Sequence, residues 1–226
     1  MPAILCVAAH PDDEAFGPAG TIARYAAQGV PVDLLTFTRG QYGTRHPPLD
    51  SPEALGLLRE YELRAAALVL GIRELTVLDY IDGQLDQADL DELAGHVSRA
   101  LERSGAEVII TFGPLGITRH PDHVALHRAS LRAVEGSGRP VRLFYAAVEG
   151  AWVKELNIDG PEAQPTHRID ISAFLGAKLA ALACHSSQED ARQFFLRLAK
   201  DGQREELFHR AQPPVEGSTP LRDLFE

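Results

Sequence analysis

Two short segments of the chain carry residue types that could bind a metal ion. Residues 10–14 read His-Pro-Asp-Asp-Glu, and residues 120–123 read His-Pro-Asp-His. Imidazole and carboxylate groups are the side chains that coordinate catalytic zinc and similar divalent ions in proteins. A site with three such ligands keeps one position open for water, which a metal-dependent hydrolase requires. The two segments are therefore candidates for a hydrolytic metal centre.

Spacing within each segment supports this interpretation. His10 and Asp13 can meet on one ion across a tight turn, whereas His120 and His123 share one face of a first helical turn. The proline in each segment fixes φ and starts a helix in a defined direction. The adjacent carboxylates of Asp12 and Asp13 cannot point the same way, so one can bind the metal while the other acts as a general base.

Either segment alone has a simpler interpretation, because His-Pro-Asp is also a common way to begin a helix. Two such segments, each after a predicted buried strand, favour a metal site. Three other polar residues in or near these segments are expected to have roles other than metal binding. Asp122 is expected to be a helix-terminal carboxylate. His127 is expected to be a surface or packing residue, and Glu14 either a hydrogen-bond partner of the site or a first-turn acid.

The elements that must position these residues alternate between apolar strands and helices. Strands are predicted over residues 3–9, 30–38, 74–78, 107–112, 141–148 and 168–171, and helices over 14–28, 52–70, 90–103, 120–134, 172–185 and 188–200. This alternation predicts an α/β fold with a Rossmann-like, open, mostly parallel sheet flanked by helices. Ligands of such sheets bind beyond the carboxyl ends of the strands, where both segments lie.

Length and composition narrow the function classes. The 226 residues favour one domain over 1–226, with a loop-like tail from about Gln203. A net charge of −10 argues against binding to nucleic acid or to an anionic membrane. Cys6 and Cys184 form no CxxC pair, which is typical of buried thiols in a reducing compartment. No signal peptide and no apolar stretch of about 20 residues is present, so we expect a cytoplasmic protein.

The same segments resemble a known family. Ala-His-Pro-Asp-Asp-Glu at 9–14, with His-Pro-Asp-His at 120–123, is similar to the motifs of the LmbE-like (PIG-L) family of zinc-dependent N-acetylglucosaminyl deacetylases. The Arg-x-x-Glu helix around Arg59 and the Lys-x-x-Ala-x-x-x-His-x-Ser-Gln segment at 178–188 resemble further family segments. The resemblance covers most of the chain, to about Phe208, and implies the LmbE-like fold.

The resemblance also implies roles for individual residues. The implied metal ligands are His10, Asp13 and His123; the implied general base is Asp12; His120 is implied to stabilise the oxyanion or protonate the leaving group; and Arg59 is implied to contact the substrate. The implied cofactor is Zn²⁺, although the ligand set also suits Fe²⁺ or Mn²⁺. The implied reaction is the attack of a metal-activated water on an N-acetyl group. Family members are often oligomeric, so we expect a homo-oligomer.

Substrate identity is less well defined. Where family members often have Gly-Glu-x-Gly, residues 40–43 read Gly-Gln-Tyr-Gly, so a carboxylate is absent at Gln41 near the expected site mouth. Arginines in or next to the rim segments would suit an anionic small molecule, such as a GlcNAc-malate conjugate of bacillithiol biosynthesis. These are Arg39, Arg45, Arg59, Arg64 and Arg119, for each of which a solvated surface charge is the usual interpretation. Arg59 differs from the others only through the family motif in which it lies. Tyr42 and Trp152 could stack on a sugar ring or anchor a loop.

The sequence can be compared with the requirements of three other functions. A nucleotide-binding module would need Gly-x-Gly-x-x-Gly after the first strand, and the glycines at 17 and 20 have the wrong spacing and place. A metal-binding protein without catalysis would need neither Asp12 nor His120. An amidase that acts on a different amide, such as a thiol S-conjugate, is the nearest alternative to a deacetylase.

Overall fold

The computed structural model describes residues 2–44, 50–215 and 219–226. Arg45 lies outside the described residues. The strands are β1 (Ile4–Ala8), β2 (Val32–Thr38), β3 (Glu74–Tyr80), β4 (Val108–Thr111), β5 (Arg142–Ala147), β6 (His167–Asp170) and β7 (Glu205–Gln212). The helices are α1 (Asp13–Phe16), α2 (Ala19–Ala27), α3 (Pro52–Leu70), α4 (Leu90–Ser104), α5 (Gly116–Arg119), α6 (Pro121–Glu135), α7 (Ala151–Glu155), α8 (Leu175–Cys184) and α9 (Glu189–Asp201).

All seven strands form one sheet in the order β3-β2-β1-β4-β5-β7-β6. The pairs β3-β2, β2-β1, β1-β4 and β4-β5 are parallel, whereas β7 runs antiparallel to both of its neighbours. The predicted mostly parallel α/β sheet is thus confirmed. Strand order reverses between β1 and β4, so the loops that follow these two strands flank the crevice in which open α/β sheets bind ligands.

The sheet separates two hydrophobic cores. Alternate residues of β1 point to opposite faces: Ile4 and Cys6 pack in one core, and Leu5 and Val7 pack in the other. Cys6 is a buried free thiol, as expected. Because both faces of β1 and β4 are covered, these strands form a rigid base for the loops at their carboxyl ends. Among the described residues, no helix is long and apolar enough to cross a membrane.

Two sequence predictions are wrong. The predicted helix over 14–28 is divided into α1 and α2 because Pro18 lacks an N–H donor and restricts Gly17, whose ψ of −100° is not helical. The predicted loop-like tail instead contains β7, inserted between β5 and β6. The sequence gives no clear strand pattern here because one inward position of β7 is the charged Glu206, which is buried and paired with Lys178.

Candidate active site

The loops after β1 and β4 bring three imidazole rings together. The ring centre of His10 lies 4.7 Å from that of His120 and 5.3 Å from that of His123, and the rings of His120 and His123 are 5.1 Å apart. His10 and His123 are buried. The structure therefore places the two predicted segments at one site although about a hundred residues separate them in the sequence.

The turn at 10–14 separates the two aspartates. Asp12 adopts a left-handed conformation with φ 106° and ψ −24°, and its carbonyl accepts hydrogen bonds from the first turn of α1. The carboxylate of Asp13 folds back, and its Oδ2 accepts hydrogen bonds from the amides of Ala9 (3.0 Å) and His10 (2.8 Å). The two carboxylates consequently face different partners, as the sequence predicts.

Asp13 lies between two of the imidazoles. Its Oδ1 is 3.3 Å from Nε2 of His123, and its Oδ2 is 3.8 Å from Nδ1 of His10. Burial by itself would raise the pKa of the Asp13 carboxyl, but the two histidines hold this pKa well below its usual range. Asp13 is thus an anionic oxygen donor placed between two nitrogen donors.

Two carboxylates fix the orientation of His10. Its Nε2 lies 2.9 Å from Oδ2 of Asp122 and 3.0 Å from Oδ1 of Asp82. Burial lowers the pKa of His10, but the hydrogen bonds to these two carboxylates outweigh it and raise the pKa to about 10. With Nε2–H bonded to carboxylate, Nδ1 is left on the side of Asp13, an arrangement typical of histidines that bind metals.

Asp122 has more contacts than a helix-terminal carboxylate needs. It lies in the first turn of α6, as expected, but it is fully buried. Besides the bond to His10, it accepts hydrogen bonds from the amides of Gly83 (2.8 Å) and Leu85 (2.9 Å). Asp122 therefore joins α6, the loop after β3 and His10.

His123 offers an unpaired nitrogen to the site. Its Nδ1 donates a 3.0 Å hydrogen bond to the carbonyl of Gly116, and its ring stacks on Phe112 at 3.9 Å with 7° between the planes. A neutral imidazole that donates from Nδ1 carries a lone pair on Nε2. This Nε2 is buried and has no hydrogen-bond partner within the described part of the chain. The orphaned nitrogen beside Asp13 fits a metal ligand.

His120 is oriented by the helix that it caps. Its Nδ1 accepts a 3.2 Å hydrogen bond from the amide of Asp122, so the proton of the neutral ring resides on Nε2. Burial, and then the nearby His10 and His123, lower the pKa of His120 and favour this neutral form. The ring can therefore donate a hydrogen bond from Nε2.

Asp12 is paired with Arg59. The Nη2 atom of Arg59 donates hydrogen bonds to Oδ2 of Asp12 (2.9 Å) and to the carbonyl of Pro11 (2.6 Å), while Nη1 donates to the carbonyl of Gly40 (2.8 Å). Burial raises the pKa of Asp12 to about 7, although Arg59 opposes the shift. Arg59 is itself buried. The implied substrate contact of Arg59 stays a prediction.

Several neighbours were missed or left open by the sequence. The sequence places Asp82 in a polar loop after a strand and does not otherwise indicate that it belongs to the site. Glu14 was left open between two roles; it is a buried hydrogen-bond partner that accepts from the amide of Asp12 (3.1 Å) and from Nε2 of His185 (2.6 Å). His127 packs against the ring of Tyr145, as the packing interpretation predicts.

The rim residues differ in what they contact. Trp152 packs against Phe194, and the guanidinium of Arg197 lies 3.7 Å from its ring centre, which favours the anchoring interpretation. Tyr42 is exposed, so its ring is accessible to solvent. The Nε2 of Gln41 donates to the carbonyl of Tyr80 at 3.2 Å, a bond that the glutamate of the family pattern could not make.

Comparisons with known proteins identify the family of the chain. The family model described as PIG-L, GlcNAc-PI de-N-acetylase, matches residues 5–134. A 1D-myo-inositol 2-acetamido-2-deoxy-alpha-D-glucopyranoside deacetylase of Thermobispora bispora is 33% identical, over 82% of this chain and 78% of the relative. A probable N-acetyl-alpha-D-glucosaminyl L-malate deacetylase 2 of Bacillus anthracis is 34% identical, over 82% and 80%. The crystal structure of a conserved protein from Thermus thermophilus is similar with a TM-score of 0.69 at 28% identity, over 96% and 98%.

Proposed function

Because the chain belongs to the PIG-L family of de-N-acetylases, we propose that it is a zinc-dependent hydrolase that removes the N-acetyl group from an N-acetylglucosamine conjugate. The observation that carries the proposal is the convergence of His10, Asp13 and His123 from two strand ends. The buried Nε2 of His123 makes no hydrogen bond among the described residues and lies 3.3 Å from Oδ1 of Asp13. Two imidazoles and one carboxylate form a ligand set that leaves a coordination position open.

The proposed ligand atoms are Nδ1 of His10, which would release its proton when a cation binds, a carboxylate oxygen of Asp13 and Nε2 of His123. When bound, a divalent cation supplies Lewis-acid chemistry: it lowers the pKa of water and polarises a carbonyl group. The bonds from His10 to Asp82 and Asp122, and from His123 to the Gly116 carbonyl, hold the two rings in place for this role.

Asp12 is the proposed general base. A carboxyl whose pKa is raised to about 7 can accept a proton and release it again near neutral pH. In the proposed reaction a water oxygen adds to the amide carbonyl carbon while Asp12 takes the water proton. The C–N bond then breaks, and the amine nitrogen receives the proton that Asp12 took from the water. The products are acetate and the free amino sugar.

His120 is the proposed hydrogen-bond donor to the developing oxyanion. Its Nδ1 is occupied by the amide of Asp122, so Nε2–H is the group that can face the substrate. A preorganised donor in a buried site stabilises the negative charge of the transition state without reorganisation.

The relatives suggest two forms of the conjugate. The Thermobispora bispora relative is named for N-acetylglucosamine linked to inositol, and the Bacillus anthracis relative for N-acetylglucosamine linked to L-malate. We infer that this chain acts on a small-molecule conjugate of the same kind.

The proposal is tested by metal analysis of the purified protein combined with an acetate-release assay on GlcNAc-inositol and GlcNAc-malate. We expect about one zinc per chain and release of acetate from at least one conjugate. A chelator should remove the zinc and abolish the acetate release. In Asp12→Asn, turnover should fall about 100-fold or more with the metal retained. Wild-type turnover in this variant would remove Asp12 as the base, and metal-loaded protein inactive on both conjugates would contradict the proposed substrate class.

A further inference from the structure

The short helix α1 depends on contacts outside itself. It has four residues, Asp13–Phe16, and follows directly on Asp12 in its left-handed conformation. A single helical turn gains too few hydrogen bonds to be stable alone, and a non-glycine residue with positive φ persists only where its surroundings hold it. The orientation of Asp12 must therefore be fixed by the elements that pack on α1.

Helix α8 contacts α1 through two buried polar residues. Lys178 and His185 are seven residues apart, which places them on the same side of α8 and its C-terminal cap. Nζ of Lys178 donates to the carbonyls of Phe16 (3.0 Å) and Gly17 (2.6 Å), at the end of α1 where helical carbonyls lack partners. His185 instead bonds to the side chain of Glu14, at 2.6 Å.

Glu14 passes the contact on to Asp12. Its Oε1 is bonded to His185, and its Oε2 accepts the 3.1 Å hydrogen bond from the amide of Asp12. Glu14 and His185 are 1% and 0% exposed, so water does not compete for these bonds. The line from α8 to the main chain of Asp12 thus consists of two consecutive hydrogen bonds within the protein interior.

The contact between Lys178 and the end of α1 is also held in place by a further residue. Nζ of Lys178 is 2.7 Å from Oε1 of Glu206 on β7. The same carboxylate accepts hydrogen bonds from the amides of Gly20 (2.9 Å) and Thr21 (2.7 Å) in the first turn of α2. Buried charged groups of this kind are poor sources of net stability compared with apolar packing. Their value here is the fixed geometry that they give to the segment between Asp12 and α2.

We propose that Lys178 and His185 are positioning residues that hold α1 and, through Glu14, fix the orientation of Asp12. These three residues, Lys178, His185 and Glu14, are called the α8 clamp below. This role accounts for the Lys178–His185 motif, which contains none of the proposed metal ligands. The inference rests on the proposed function, because Asp12 affects turnover only in a hydrolase.

The test combines kinetics with hydrogen–deuterium exchange of the peptide 10–17. In His185→Leu, kcat should fall about 10- to 100-fold with KM changed by less than about 2-fold, since a small misplacement of a catalytic group has effects of this size. Exchange in 10–17 should become faster, and zinc content should stay at the wild-type level. His185→Gln, whose amide can still donate to Glu14, should recover most of the lost kcat.

His167→Leu is the matched control. His167 is also 0% exposed, but it lies on β6, bonds to Thr166 and packs on Phe144, away from α1. This variant should lose stability, yet keep wild-type kcat and wild-type exchange in 10–17 at a temperature where it is folded. A merely structural role for His185 would make the two leucine variants alike.

Two further variants cover the case in which His185→Leu does not fold. Glu14→Gln has the size of the native residue, but it replaces one of the two accepting oxygens with an NH2 donor, so the bond from Asp12 or the bond from His185 is lost. Lys178→Met keeps the length of the side chain without its donors. Both should show the lower kcat and the faster exchange in 10–17.

The outcomes separate the two proposals. Wild-type kcat and wild-type exchange in these variants would overturn the α8 clamp. A wild-type protein without deacetylase activity would contradict the proposed function, and the exchange data alone would then decide whether the α8 clamp holds α1.

Discussion

Arg59 of α3 forms an ion pair with Asp12, with 2.9 Å between Nη2 and Oδ2 and both side chains buried. The guanidinium occupies the space beside Gly40 and Gly43, where a Cβ atom at either position would overlap it. The two glycines of the Gly-Gln-Tyr-Gly loop are thus explained by the close approach of Arg59. The ion pair makes α3 part of the surroundings of the proposed base.

Replacing Arg59 should impair turnover more than substrate binding. In Arg59→Met, Asp12 loses the donor that holds its carboxylate, so kcat should fall about 10- to 100-fold with little change in KM. Arg59→Lys should recover only part of this, since one ammonium cannot reproduce the three bonds of the guanidinium. Steady-state kinetics checks this, and a rise in KM at constant kcat would instead support the substrate contact implied by the family resemblance.

The same variant should change the pH profile. Burial raises the pKa of Asp12 to about 7, and the positive charge of Arg59 opposes that shift. Without Arg59 the pKa rises further, and a base must be deprotonated to act. The acid limb of kcat/KM should therefore move to higher pH in Arg59→Met. An acid limb at the wild-type position would show that another group controls it.

The first residue of α5 should be sensitive to one added methyl group. Gly116 has φ +60°, and a Cβ atom there would lie 2.7 Å from Cβ of His123. Gly116→Ala should displace His123 and weaken zinc binding about 10-fold or more, as loss of support for a metal ligand commonly does. Gly138→Ala is the control, because Gly138 also has positive φ (+64°) but open space around its Cβ position. Equal zinc affinities in the two variants, measured by competition with a chelator, would contradict the prediction.

The sequence predicts the parts of this site that depend on strand order and local turns. Both segments follow predicted apolar strands, and this is sufficient to place them at one edge of a parallel sheet. The prolines at 11 and 121 add only that a helix begins there. The contacts of Asp82 and His185 could not be predicted, because they depend on how the loop after β3 and the end of α8 pack in three dimensions. The strand β7 is not predicted for a similar reason: the inward-facing Glu206 is bound by Lys178 and by the amides of Gly20 and Thr21, which are distant in sequence.

Asp122 and Asp82 should contribute unequally to metal binding. Both accept from Nε2 of His10, but Asp122 is held by two further main-chain amides, whereas Asp82 accepts only from the amide of Tyr42 besides His10 among the described residues. We expect Asp122→Asn to lower zinc affinity about 10- to 100-fold and Asp82→Asn to lower it less. Titration of metal-free protein with zinc against a competing chelator gives both values. A larger effect of Asp82→Asn would show that Asp82 is the main support of His10.

His167, on β6, should make the fold sensitive to acid at a place outside the proposed metal site. Burial, and then the nearby Arg210, lower the pKa of His167 from its usual 6.5 to about 4. Between these values the unfolded chain binds a proton that the folded chain excludes, so the stability that His167 contributes is complete above pH 6.5 and is lost as the pH falls toward 4. At pH 5 the loss is about 2 kcal/mol. We therefore expect the free energy of unfolding, measured with urea, to decrease between pH 7.5 and pH 5 less in His167→Leu than in the wild type. The difference between the two decreases should be about 2 kcal/mol. Because both proteins share all other titrating groups, equal decreases would mean that His167 is protonated in the folded state.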